Sequence, residues 1–398
     1  MARLARTIAD LSRYRRAFDA ALSPAQAQAR GEPATKLREV TGFGANPGNL
    51  RMLEYVPKTH GAAPALVVVL HGCTQSAAGY DHGAGWSSLA ERHGFALLFP
   101  EQKRENNPKG CFTWFERGDT ERGHGEAASI RAMIERMVAA HGIDRGRIFI
   151  TGLSAGGAMA SVMLAAYPEV FAAGAIIAGL PYGAATTVQE AFESMFKGRR
   201  WPARHWGDLV RAASPHRGPW PRISVWHGSA DATVVPMNAD EIVKQWADVH
   251  GLPAAPAERA AGSGFARVVW RDRDGREVIE SVTIPGMAHG TPLASGEGEE
   301  RCGNAGPFLL EVGVSSSHHI ARFFGLLDPR AASRERAERH VAAAAAPARA
   351  IDPRPDDILL PGEGEPRAEH AEDAARGYPV DVQGVIAKAL RAAGLMRP

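Results

Sequence analysis

Cysteine is scarce in this chain of 398 residues: only Cys73, Cys111 and Cys302 occur, and none stands at C-x-x-C spacing. That excludes a dense disulfide framework and the common cysteine-rich zinc sites. Net charge is almost absent as well. The 46 basic and 44 acidic side chains leave a formal +2, so the overall charge gives no case for nucleic acid as a partner. Long apolar runs are missing too: stretches such as 65–70 and 172–180 fall far short of the roughly 20 residues a membrane-spanning helix needs. The arginines near the N-terminus (Arg3, Arg6, Arg13, Arg15, Arg16) are followed by no apolar core and no small-residue cleavage site. The expectation is therefore a cytoplasmic protein. Internal repeats and a His-Glu-x-x-His pattern are both lacking, and neither a metal nor a cofactor is expected.

What is abundant is apolar surface, at 45% of residues, enough for one large catalytic domain with extensions. Leu4, Ile8, Leu11, Phe18 and Leu22 recur at helical steps among charged residues, which predicts an amphipathic N-terminal helix over 4–22. Residues 24–38 read as a linker. Beyond it, buried strands at 65–70, 95–100, 147–151, 171–179 and 223–228 are separated by helix-length segments, among them 86–93, 126–141 and 157–166. This alternation predicts an α/β fold with a mostly parallel central sheet and helices on both faces. Residues 181–221 read as an irregular insertion whose Met195, Phe196, Trp201, Trp206 and Trp220 are candidates to line a cleft. Asp274-Gly275 marks a hairpin between 265–271 and 277–284, and 318–326 reads as a closing helix. From residue 329 onward, charge, alanine and proline indicate a linker and a short terminal helix. The expected organisation is a helix and linker at 1–39, a catalytic domain at 40–328 and a tail at 329–398.

Gly152-Leu153-Ser154-Ala155-Gly156 lies between one of these strands and a helix. A G-x-S-x-G turn is so tight that a flanking Cβ would collide with backbone, and it lifts the serine Oγ clear of the sheet. Ser154 is the candidate nucleophile. A serine hydroxyl needs a histidine base and a carboxylate to orient that base, and on this kind of sheet they follow in the order Ser, Asp or Glu, His. Asp231 satisfies the order, in the loop after strand 223–228; its competing reading is a helix N-cap. Among 15 histidines, His289 follows the last strand between Gly286 and Gly290. Its rivals are His318 and His319 in the closing helix, and His227, which precedes the acid. The developing oxyanion requires backbone donors, assigned to the N–H groups of Ala155 and of Cys73, in the loop His71-Gly72-Cys73-Thr74.

Five stretches together resemble the polyhydroxybutyrate (PHB) depolymerase family of esterases, α/β-hydrolases related to feruloyl and acetylxylan esterases. They are Leu70-His71-Gly72-Cys73-Thr74-Gln75, residues 107–115 ending Phe112-Thr113-Trp114-Phe115, residues 152–159, residues 226–234 and residues 284–292. The resemblance spans about 40–328. It implies an α/β-hydrolase fold and hydrolysis, through an acyl-enzyme on Ser154, of ester bonds in short-chain polyhydroxyalkanoates, their oligomers or a related ester. Ser154, Asp231 and His289 would form the triad, and Cys73 and Ala155 the oxyanion hole, with no cofactor. A Cys73–Cys111 disulfide and a Trp114 beside the substrate are implied as well. Alternatives on the same residues are a feruloyl- or acetyl-type carboxylesterase and an acyltransferase. A non-enzymatic granule-associated protein is the remaining class, and the filled triad positions stand against it.

Overall fold

The run Leu66-Val67-Val68-Val69-Leu70 forms strand β3 (Leu66–Leu70), buried at every position. Successive side chains of a strand point to opposite faces, so continuous apolar sequence fits only a sheet covered on both. The division is visible here: Leu66, Val68 and Leu70 join one apolar core, Val67 and Val69 the other. The computed structural model describes residues 12–20, 33–262 and 264–327.

In spatial order the ten-stranded sheet runs β1 (Arg38–Val40), β2 (Arg51–Tyr55), β4 (Ala96–Glu101), β3, β5 (Ile148–Leu153), β6 (Ala173–Ile177), β7 (Arg222–Gly228), β10 (Glu277–Ile284), β9 (Phe265–Arg271) and β8 (Glu258–Gly262). Neighbours from β4 through β10 are parallel. Antiparallel pairs close the edges, β1 with β2 and β2 with β4 on one side, β10 with β9 and β9 with β8 on the other. One face is covered by α5 (Gly125–His141), α6 (Ala155–Ala166), α7 (Val188–Lys197), α8 (Ala203–Ala212) and α9 (Met237–His250). The other carries α2 (Ala77–Ala84), α3 (Trp86–His93) and α10 (Ser316–Phe323). A short α4 (Arg117–Thr120) and a small parallel pair, β11 (Thr291–Leu293) with β12 (Leu309–Glu311), complete the framework. This is the doubly covered, mostly parallel sheet expected from the alternation of strands and helices. No helix among the described residues is long and apolar enough to cross a membrane.

The insertion at 181–221 is not irregular: it contains α7 and α8. Its first helix carries a capping signal, since the Thr187 hydroxyl accepts the Glu190 N–H. In the second, Gly207 weakens the helical pattern because α8 packs closely on α9; a Cβ there would lie 2.0 Å from Asp248 Oδ2. Residues 12–20 are helical, here α1, and bury Tyr14 and Phe18. Tyr14 was not part of the apolar set read from the sequence. The other members of that set, Leu4, Ile8, Leu11 and Leu22, lie outside the described residues, as do the linker and terminal helix assigned to 329–398.

Candidate active site

Strand β5 ends at Leu153 and α6 starts at Ala155, so Ser154 alone makes the turn, at φ 58° and ψ −117°. Such a backbone costs on the order of 1–3 kcal/mol and persists only where the surroundings enforce it. Here the Ser154 N–H donates to Ile177 O (2.9 Å) and Ser154 O accepts from the Ala158 N–H (2.8 Å). The flanking glycines answer a shortage of space. A Cβ on Gly152 would sit 2.4 Å from Gly156 O, and one on Gly156 2.4 Å from Leu70 O.

Past β7, Asp231 Oδ1 accepts the N–H groups of Thr233 and Val234, both at 2.9 Å. These bonds have the pattern of a helix cap, but no helix begins there: α9 starts at Met237, with Pro236 in the capping position. The loop after β10 is stitched onto this one by Ser229 N–H to Ile284 O and Ala230 N–H to Met287 O, each 3.0 Å. That stitching brings His289 between the other two side chains. Its Nδ1 lies 2.7 Å from Asp231 Oδ2 and its Nε2 2.9 Å from Ser154 Oγ. A carboxylate only accepts, so Nδ1 carries the proton and Nε2 is left to accept from the serine hydroxyl. Both partners are buried, at 3% exposure for Asp231 and 8% for His289. Burial alone would push the Asp231 carboxyl up, but hydrogen bonds from His227 and His289 outweigh it and hold the group well below the usual carboxylate range.

His227, dismissed as a base on chain order, lies beside the acid instead. It is 2% exposed, with Nε2 2.7 Å from Val234 O and 3.3 Å from Asp231 Oδ2. Both neighbours accept, so the proton sits on Nε2 and the ring braces the Asp231 loop. Chain order alone could not reveal this role. His318 and His319 belong to α10 and form no hydrogen bond with Ser154; burial pushes both imidazoles down.

Ser154 opens into an apolar cavity that Cys73, Ala155 and Trp114 also line. Cys73 and Cys111 form a disulfide, joining the loop after β3 to the loop after β4. His71 fixes the first of these loops: its Nε2 accepts the Gln102 N–H (3.1 Å), so Nδ1–H donates to Gly72 O (2.8 Å). Burial pushes the His71 imidazole down, which keeps it neutral in that role. At the start of α6 the leading N–H groups have no intrahelical acceptor and face the cavity end of the helix, a suitable place for a negative oxygen.

Of the five insertion residues proposed to line a cleft, only Met195 does so. Trp206 is buried with its indole N–H donating to Glu241 Oε2 (2.6 Å), Trp201 packs against it, and Trp220 meets His216. The wall comes instead from Val188, Ala191 and Phe192 on α7, and from Phe18. An amphipathic helix that lines a cavity has the same sequence pattern as one that packs on a core, which is why the pattern did not single these residues out.

Residues 53–269 match the family model described as Esterase PHB depolymerase. The chain belongs to this family. Over 292 residues it is 47% identical to poly(3-hydroxyalkanoate) depolymerase C of Paucimonas lemoignei, covering 73% of this chain and 70% of that one. Feruloyl esterase B of Neurospora crassa is 31% identical over 299 residues, covering 73% and 93%. Among solved structures, an acetyl xylan esterase from Aspergillus awamori superposes with a TM-score of 0.60 at 29% identity, covering 64% of this chain and 94% of its own. Membership of the PHB depolymerase family makes the fold an α/β-hydrolase and the protein a serine carboxylic ester hydrolase.

Proposed function

We propose that Ser154, His289 and Asp231 are the nucleophile, base and orienting acid of an esterase acting on short-chain polyhydroxyalkanoates or their oligomers. The observation that carries this reading is the unbroken chain of hydrogen bonds from Asp231 through His289 to a serine that opens into an apolar cavity. Ser154 Oγ attacks the ester carbonyl while His289 Nε2 takes its proton. The backbone N–H groups of Cys73 and Ala155 hold the resulting oxyanion. Collapse expels the alcohol, which receives the proton from His289, and leaves the acyl group on Ser154. Water then attacks the acyl-enzyme with His289 again as base, and the free acid departs.

The substrate class follows from the walls. Lys109 is the single ionisable lining residue among those described, so the cavity suits an uncharged ester with small alkyl branches, and the 47% identity to a poly(3-hydroxyalkanoate) depolymerase supports the same class. The catalytic domain in this reading is 40–328, with the neighbouring β1 extending its sheet from Arg38.

A fluorophosphonate probe with a substrate panel tests the proposal. Labelling and burst release of alcohol are expected from the native protein and lost on Ser154→Ala, and hydroxybutyrate oligomers are expected to give the highest kcat/KM, with free hydroxyacid as product. Labelling that survives Ser154→Ala would overturn the site. Preference for feruloyl or acetylxylan esters would move the substrate assignment to those classes.

A further inference from the structure

Phe18 lines the Ser154 cavity although helix α1 lies outside the residues matched to the family, 53–269. The helix has two footholds on opposite walls of the cleft. On the α7 side, Tyr14 stacks on Phe192 and Phe196 at 6.3 and 5.8 Å between ring centres, and Phe18 meets Phe192 edge-on at 5.6 Å. On the other side, Asp19 pairs with Lys109 at 2.9 Å, in the loop that leads to Cys111 and Trp114. Exposed pairs of this kind contribute little energy, so the aromatic foothold carries the attachment. Phe192 faces the cavity as well, which makes Phe18 and Phe192 a continuous apolar wall.

We propose that α1 is a strap across the ester cleft and that Phe18 is a specificity-determining residue that limits the length of acyl chain admitted to Ser154. The cavity is small, about 60 Å³. A long chain can therefore be seated only where the wall gives way. Each methylene newly buried in apolar surroundings is worth about fourfold in affinity. Removing the Phe18 ring lengthens the trough between α7 and the Trp114 loop by a few such groups, and a larger ring shortens it. The proposal rests on Ser154 as the nucleophile.

The test measures kcat/KM of the full chain for p-nitrophenyl esters from acetate to octanoate. Phe18→Ala is expected to raise the octanoate-to-acetate ratio at least tenfold, and Phe18→Trp to lower it. Arg16→Ala, on the exposed side of the same helix, is expected to leave the ratio unchanged, and melting temperatures verify that each variant is folded. An unchanged ratio in both Phe18 variants, or an equal rise in Arg16→Ala, would overturn the strap. Those results together with loss of labelling in Ser154→Ala would leave the catalytic reading intact.

Discussion

Replacing Asp231 with asparagine separates the shape of the acid from its charge. The loop decides how the amide must sit. The Thr233 and Val234 N–H groups both aim at Oδ1; turning the amide nitrogen toward them would leave two buried donors unsatisfied, at a cost of about 1–3 kcal/mol each. The amide oxygen therefore stays on the loop and the amide nitrogen faces His289 Nδ1, where it can only donate. Nδ1 must then accept, and the ring proton moves to Nε2, the atom that should receive the proton of Ser154. In that tautomer His289 is no longer a base. An aspartate-to-asparagine change of this kind lowers kcat about 10⁴-fold, equivalent to about 5 kcal/mol of barrier. The assay is kcat and KM for p-nitrophenyl butyrate, with the rate of fluorophosphonate labelling and a thermal melt alongside. The expected result is a loss near four orders of magnitude in kcat, slow labelling and little change in KM. The carboxyl is held below its unfolded value, so it stabilises the native protein above about pH 4 and stops doing so as the pH falls further; the amide removes that dependence. A variant that melts normally and loses less than tenfold in kcat would refute the tautomer argument.

Two further outcomes concern the disulfide beside the cavity and a buried carboxyl on α5. Opening the Cys73–Cys111 bond, which spans a separation of 38 residues, frees unfolded-chain entropy equivalent to about 4 kcal/mol; Cys73→Ser with Cys111→Ser should lower the melting temperature by roughly 7 °C, and an unshifted melt would deny the bond a stabilising role. Glu126 is fully buried on α5, where burial, with Asp119 adding to it, pushes its carboxyl up to about 8. A group raised on folding stabilises the native state at low pH and loses that contribution as the pH rises through its folded value. The unfolding free energy from urea titrations should therefore decline between about pH 4.5 and 8 by up to roughly 1.4 kcal/mol per pH unit from this group, and Glu126→Gln should flatten the decline; an identical slope in the variant would refute it.

The sheet could be read from the chain because a strand covered on both faces writes its burial into consecutive residues, as in Leu66–Leu70. The tight turn at Ser154 was legible for an equally local reason, two glycines with no room for a Cβ. Legibility ended where the information is spatial. His227 was discarded because order along the chain says which histidine follows the acid, and says nothing of which one lies beside it. Phe18 and Phe192 carry an ordinary apolar-face signal, and only their meeting on one wall of the cleft gives it meaning. Helices α7 and α8 were hidden by an abundance of tryptophan, glycine and proline, although Thr187 and Glu190 offered a start signal. The pairing of Cys73 with Cys111 came from family resemblance, since spacing alone leaves three cysteines with three pairings.

Ser154, Asp231 and His289 stand just beyond the C-terminal ends of β5, β7 and β10, tied through the cross-strand partners Gly152 and Ile176, Ile176 and Val225, and Gly228 and Ile284. Sliding one strand by a single residue would shift its loop by about 3.3 Å, more than a hydrogen bond can follow, while leaving secondary-structure content unchanged. Turnover therefore acts as a gauge of strand registry. In a refolded sample, the fraction of full specific activity counts the molecules whose ladders are threaded correctly, a quantity to which circular dichroism is blind.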